Sequence, residues 1–381
     1  MNFCISNFNG GADEGKNFFY VFAMLFFAVI LAILSLNYCI DYYGVFHKYK
    51  NEPVVVYNIN DRFVKMRYLL NGQNFNKYDS YLWGSSRVMK MDTTIAGGMT
   101  YNLGSAGGMT DDCLFQLKQL ISQGAKVNEI YVGLDDFSYT KNYEPVKREI
   151  DRKLYYGNIL QDLGTYMEYL LNPSAIVNAI KRHSDRPIQT FLHSSGMALI
   201  PDYVDKEIEH DPEKHIQAQK FLAATNFGWD KNGFQVCLNN ISLIKQICDE
   251  NGIQLFVFFN PQHMTTYLSD DMELMNQFKK ELVKISPFWD FSGVNYVTAN
   301  NYFWYETSHP RAFICDKILD IVSGQNQMTW VPDFGVYVTP ENVDAFCEQA
   351  VRDREAYDPD HAQWIPTAEE RAVMSRRPHI H

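Results

Sequence analysis

Two stretches of the chain carry residue types that suit acyl transfer. The first, Asp79-Ser80-Tyr81-Leu82-Trp83-Gly84-Ser85-Ser86-Arg87, reads as a short buried strand that breaks at a glycine. A serine there sits at the carboxyl end of a strand, where open α/β sheets keep their sites. The predicted helix that follows offers free N–H groups to a developing oxyanion. The second stretch is Trp304-Tyr305-Glu306-Thr307-Ser308-His309-Pro310-Arg311. Serine chemistry needs a nucleophile, a base to take its proton, a carboxylate to orient that base, and donors for the oxyanion. Ser86, His309 and Glu306 are candidates for the first three, because a carboxylate three residues before a histidine can reach the imidazole on a turn and fix its tautomer. Each stretch also has a plainer reading. Ser85 or Ser86 can cap a helix, and His309 can cap a surface turn. Arg87 and Arg311 can hold an anionic group of a substrate or form salt bridges at helix ends.

The elements that must position these residues follow from apolar patterning. Strands are predicted at 79–83, 101–103 and 129–132, each ending in a Gly-bearing polar turn, with a helix at 111–122. That alternation describes a parallel, helix-flanked sheet. Residues 141–230 interrupt it: 155–182 is mostly helical and 185–230 is polar with no β-rich run, so the segment reads as an insertion able to cover the site. The sheet resumes with a helix near 234–250, the apolar strand 253–259, a short strand at 287–291 and a helix at 311–323. A C-terminal helix with Thr339 as N-cap and Pro340 as first residue is predicted to dock through Val343, Phe346, Cys347, Ala350 and Val351. The pentapeptide Ala-Gly-Gly-Met-Thr occurs at 96–100 and 106–110, too short a repeat for a repeat architecture, but it offers a glycine turn at Gly107 directly after a strand.

Composition sets the wider limits. The net charge of -11 argues against a general nucleic-acid binder, since phosphate binding needs a basic face. Seven cysteines without CxxC spacing read as buried thiols, not as a disulfide framework. His210 and His215 with Asp211 lack the further convergent ligands a metal site needs. From Phe18 to Ile40 there is no charged residue. A helix of that length crosses a hydrocarbon core of roughly 30 Å. A cleaved signal would have an apolar region of about 7–15 residues and a small-residue cleavage site, and Asn37-Tyr38-Cys39 offers none. The division expected is therefore a mobile N-terminus (1–17), a transmembrane anchor (18–40), a stalk (41–78), an α/β domain (79–325), a C-terminal extension (326–357) and a loose polar tail (358–381). Lys48, Lys50, Arg62, Lys65 and Arg67 after the span outnumber Lys16 before it, a bias that taken alone keeps the C-terminal side in the cytoplasm.

In order, Gly-Ser-Ser after the first strand, a glycine turn after the second, Gly-x-x-Asp after the third and E-x-x-H near the end form a set. This set resembles the SGNH (GDSL-like) hydrolase superfamily over about 79–137 and 287–323. The resemblance places the nucleophile on Ser86, oxyanion donors on Ser86, Gly107 and Asp135, and the base with its orienter on His309 and Glu306. Asp135 stands where the family has an asparagine, and an ionised carboxylate accepts where the oxyanion needs a donor. The anchor, the GSSR turn and the late S-H-x-R look most like membrane-tethered envelope members, including proteins of teichoic-acid D-alanylation and polysaccharide O-acetylation. What the resemblance implies is a flavodoxin-like parallel sheet flanked by helices and an exported domain. It also implies acyl transfer to or from a cell-envelope glycan, a multi-spanning membrane acyltransferase as partner, and no metal or organic cofactor. Two other readings stay open: a non-catalytic glycan-binding or assembly subunit that keeps the fold, and a cytoplasm-facing esterase for a small or lipid substrate.

Overall fold

In the computed structural model, which describes residues 10–47, 53–56, 59–140, 149–182, 189–225 and 231–374, the elements in chain order are as follows. The long helix α1 (Gly10–Ile40) is followed by β1 (Val54–Val56), α2 (Asp61–Leu70), β2 (Ser80–Trp83), β3 (Thr100–Asn102), α3 (Thr110–Ser122), β4 (Glu129–Leu134) and α4 (Asp136–Thr140). The insertion holds α5 (Ile159–Leu170), α6 (Pro173–Arg182), β5 (Gln189–Phe191), β6 (Ala198–Leu199), α7 (Asp202–His210) and α8 (Pro212–Ile216). Next come α9 (Lys231–Asn251), β7 (Gln254–Phe259), α10 (Met264–Tyr267), α11 (Met272–Leu282), β8 (Phe288–Asp290), β9 (Trp304–Glu306), β10 (His309–Pro310) and α12 (Ala312–Val322). The chain closes with β11 (Val336–Val338), α13 (Val343–Glu355), α14 (Pro359–Ala362) and α15 (Ala368–Met374).

The central sheet runs β11-β8-β7-β4-β2-β3, parallel throughout except for β11 at one edge. Both faces are covered, which is why the strands read as nearly unbroken apolar runs. Alternate residues serve opposite layers. Tyr81, Trp83, Ile130, Val132, Val257 and Phe259 pack with α3, α9 and α11, whereas Leu82, Tyr131 and Phe258 pack with α12 and Trp304. Among the parallel strands, chain order changes direction at β2, between β3 and β4, which opens a crevice beyond the carboxyl ends of β2 and β4. Five cysteines, Cys113, Cys237, Cys248, Cys315 and Cys347, are buried free thiols, in keeping with their scattered spacing.

Five expectations need correction. The stalk is part of the body, since α2 buries nearly every residue, charged ones included. Its charges fold inward because they find partners: Arg62 binds Asp112 at 2.9 Å and the carbonyls of Ala106 and Gly107, and Lys65 donates to the Gly104 carbonyl. The insertion is not free of strand, for β5 pairs antiparallel with β1 and with β6. The C-terminal helix starts at Val343 behind Asn342, so Thr339 and Pro340 lie in the preceding turn, while Val343 and Cys347 do dock as expected. The tail is tied down as far as Met374: Asn300 donates to the Trp364 carbonyl, and Arg371 pairs with Glu209. At the other end α1 begins at Gly10, inside the segment expected to be mobile; residues 1–9 and 375–381 lie outside the described residues. Its stretch from Lys16 to Ile40 is long and apolar enough to cross a membrane.

Candidate active site

Gly84 ends β2 at a φ of +151°, where any side chain would run into Val88 and the Gly133 carbonyl. The residues after it form turns instead of the predicted helix, and the two serines divide the roles open to them. Ser85 is fully buried and its hydroxyl accepts from Arg87 N–H at 3.1 Å, the local capping bond. Ser86 turns outward, and its Oγ lies 2.7 Å from His309 Nε2.

His309 and Glu306 face each other across the β9–β10 hairpin, as register partners of an antiparallel pair. The E-x-x-H spacing is thus a strand pair closed by Thr307 and Ser308, and cross-strand partners sit close enough to interact directly. His309 Nδ1 is hydrogen-bonded to Glu306 Oε1, and Glu306 Oε2 accepts from Ser308 N–H at 2.7 Å. The carboxylate is fixed at both oxygens and presents one of them to the ring. With Nδ1–H donated to Glu306, Nε2 is left to accept the Ser86 proton.

Burial presses the His309 imidazole below its ordinary value of 6.5, Glu306 pulls the other way, and Lys90 and Arg87 add to the lowering. Burial pushes Glu306 up, but its bond to His309 and that group's charge outweigh this and keep it below the usual carboxylate value. An imidazolium cannot take a proton from serine, so a serine reaction run through this pair would slow as pH drops through the lowered pKa of His309. The acid limb of kcat/KM is therefore expected below pH 6.5. Lys90→Gln removes a cation that disfavours imidazolium and should move that limb to higher pH. Glu306→Gln removes the anion that favours it and should move the limb to lower pH while reducing kcat. Profiles of ester hydrolysis for the parent and both variants check this; limbs that stay in place would remove His309 as the titrating base.

Beside Ser86 lies a cavity of about 200 Å³, walled by Ile59, Asp61, Met89, Ala106, Phe191 and Leu199 among others. That is several times the ~30 Å³ share of one water. Phe191 and Leu199 come from the insertion, which reaches the site through β5 and β6. Asp61 is buried; Oδ2 accepts from Ala106 N–H at 3.2 Å, and Oδ1 has no hydrogen-bond partner among the described residues. Burial raises its pKa against the pull of Lys65.

The glycine turn after β3 closes against the turn that carries Ser86. Ser105 N–H donates to the Gly84 carbonyl, and a Cβ at Gly108 would collide with the same oxygen. Gly107 itself takes a left-handed φ of +58°, and its carbonyl is held by Arg62 at 3.0 Å.

Three assignments change. Asp135 is not an oxyanion donor: it is buried, and Oδ1 accepts from Arg87 Nη1 at 2.7 Å and from Asn260 at 3.1 Å. Arg87 does not face substrate either. Its side chain is 1% exposed, binds Asp135 and Asp136, and donates through Nε to the Ser308 carbonyl at 2.7 Å. Arg311, fully buried, pairs with Asp205 and Glu209 of α7 and so fastens the insertion under the His309 hairpin. His215, weighed in the sequence together with His210 and Asp211, is hydrogen-bonded to the Trp304 carbonyl at 2.9 Å. Sequence patterning missed Asp61, Lys90 and Gly108; only the repeated Ala-Gly-Gly-Met-Thr pointed near the last.

Fold and site together define a serine–histidine–glutamate arrangement at the carboxyl ends of a mostly parallel α/β sheet. No protein family, curated protein or solved structure matches this chain.

Proposed function

We propose that the chain is a membrane-anchored SGNH-like serine acyltransferase or esterase that acts on acyl groups of a cell-envelope polysaccharide, with α1 as a single-pass anchor and the catalytic domain outside the cytoplasm. The observation that carries the serine chemistry is the hydrogen-bonded chain Ser86–His309–Glu306. Strand order supports the family reading: counted along the chain, the parallel strands lie 2-1-3-4-5, the flavodoxin-like order, with the nucleophile at the switch point.

In the first half-reaction Ser86 Oγ attacks the acyl carbonyl while its proton passes to His309 Nε2, and the same proton leaves with the departing alcohol or thiol. Acyl-Ser86 then remains. In the second, His309 takes a proton from an acceptor hydroxyl, whose oxygen attacks the acyl carbon; the bond to Ser86 Oγ breaks, and His309 returns the proton to Oγ, freeing Ser86. Water as acceptor makes the enzyme an esterase; a sugar hydroxyl makes it a transferase. Ser86 and Gly107 N–H would receive the oxyanion. The cavity fits a short acyl group, and the uncommitted Asp61 oxygen would accept from a hydroxyl of the incoming sugar. A multi-spanning membrane acyltransferase would deliver the acyl group.

Asp135 favours one other reading. With the family's asparagine donor replaced by a carboxylate committed to Arg87, the site has one fewer oxyanion donor, as suits a glycan-binding or assembly subunit. The test is intact mass of the full chain after treatment with a fluorophosphonate, alongside Ser86→Ala. One adduct on the parent and none on the variant is the expected result; a folded parent that stays unmodified would overturn the enzymatic reading.

A further inference from the structure

Helices that dock on a protein core usually turn their apolar side inward. α5 does the reverse. Its buried residues include Asp162 and Thr165 beside Tyr169, while Ile159, Leu160 and Leu163 are 84%, 79% and 54% exposed. At 3.6 residues per turn these three share one arc with the exposed Met167 and Leu171. The exposed polar residues Gln161 and Glu168 fall on a different arc. α6 likewise keeps its bulkier apolar side chains outside: Ala175 and Ala179 face in, and Val177 and Ile180 face out.

The neighbour of this surface says what covers it. α5 and α6 both pack against α1, and the buried Asn37 of α1 donates to the carbonyls of Leu170 and Asn172, where α5 gives way to α6. The partly buried positions of α1, among them Ile30, Ile33, Leu34 and Ile40, recur at helical spacing over about 15 Å. That is half of a hydrocarbon core of roughly 30 Å. In the same stretch Leu31 and Leu36 remain exposed, so the apolar arcs of α5 and α6 continue a surface that itself calls for lipid.

We infer that α5 and α6 form a monotopic hairpin immersed in the leaflet from which the C-terminal end of α1 emerges, with lipid acyl chains against Leu160, Leu163, Val177 and Ile180. This rests on α1 being a membrane span. A helix with one apolar and one polar exposed arc lies in the plane of an interface. Two such helices beside an anchor hold the body in one orientation, where a lone tether would leave it free to turn. The inward face of α5 carries this to the site. Tyr166 and Tyr169 pack edge-on against Phe63 of α2, and α2 begins with Asp61 of the cavity wall. The acyl cavity thus stands one helix away from the bilayer.

The test uses the full chain, with Cys4 and Cys39 replaced by serine, in phosphatidylcholine–phosphatidylglycerol vesicles at high dilution. Single nitroxides are placed through Leu163→Cys, Ile180→Cys, Phe26→Cys in α1 and Glu355→Cys on α13, and their collisions with oxygen and with a water-soluble nickel chelate are compared. The expected result is oxygen-rich, nickel-poor contact at positions 163 and 180, shallower than at 26, with the opposite at 355. Positions 163 and 180 behaving like 355 while 26 reports lipid would overturn the hairpin and leave the anchor standing. Position 26 reporting water would remove the anchor, and the inference with it. Labels at 163 and 180 shielded from both reagents would mean that a second copy covers the arcs, which also overturns the lipid assignment.

Discussion

His309→Ala is expected to lower turnover of an activated ester by a factor on the order of 10⁴ to 10⁶, with KM little changed. In the proposed reaction the ring does two jobs that no neighbour can take over. Nε2 is the acceptor within 2.7 Å of Ser86 Oγ, and the same nitrogen must return the proton to the leaving group. Lys90 is near enough to influence the imidazole, but as a cation it has no lone pair with which to replace it. Added imidazole should recover part of the loss, because the vacated ring leaves a space beside the serine. Glu306→Gln should cost less, on the order of 10² to 10⁴, since the amide can still touch Nδ1 but no longer stabilises the imidazolium. Steady-state kinetics on a short-chain aryl ester measures all three effects. A His309→Ala variant as active as the parent would show that the hydrogen bond to Ser86 is structural, and would move the chain to the binding-subunit reading.

The sheet was legible in the sequence where burial on both faces leaves long apolar runs: β7, Gln254–Phe259, and β2, Ser80–Trp83, each fall within a residue of the expected bounds, and β4, Glu129–Leu134, runs two residues past the expected 129–132. Ser86 and the E-x-x-H pair were legible for a related reason. Turn chemistry is local, and a carboxylate three residues before a histidine is a spacing that can be read directly. What escaped notice was set by partners far along the chain. Arg62 and Lys65 look like surface charges until the carbonyls of residues 104–107 arrive to accept from them. Arg311 looks like a substrate clamp until α7 supplies Asp205 and Glu209. β1, β5 and β6 are too short for a periodic signal and exist because they pair with one another. The apolar residues of α5 read as helical, but nothing in their spacing says that the core lies on the opposite side.

Arg87→Ala is expected to destabilise the protein by about 3–5 kcal/mol, the usual consequence of leaving buried charge without its partner. The guanidinium sits between Asp135 at 2.7 Å and Asp136 at 2.9 Å, all three side chains nearly inaccessible to water. Burial works against its charge, and the two carboxylates outweigh that and hold Arg87 above its ordinary value. The arginine does more than neutralise them, because its Nε–H holds the Ser308 carbonyl and so ties the Ser86 turn to the hairpin that carries His309. Stability and activity can therefore be separated. Arg87→Met combined with Asp135→Leu and Asp136→Leu removes the charges together and should recover much of the stability, as apolar replacement of a buried ion cluster often does. It should not recover kcat, since nothing then holds the Ser308 carbonyl, and a misplacement of about 1 Å at a reacting pair can cost on the order of 10² in rate. Arg87→Lys should fall between the two, because an ammonium cannot reproduce the planar fork that reaches two carboxylates and a carbonyl at once. Chemical denaturation read beside kcat and the acid limb of the pH profile separates the outcomes. Full activity in a stable triple variant would confine Arg87 to the core, whereas a stable variant with depressed kcat makes it the strut that sets the serine–histidine distance.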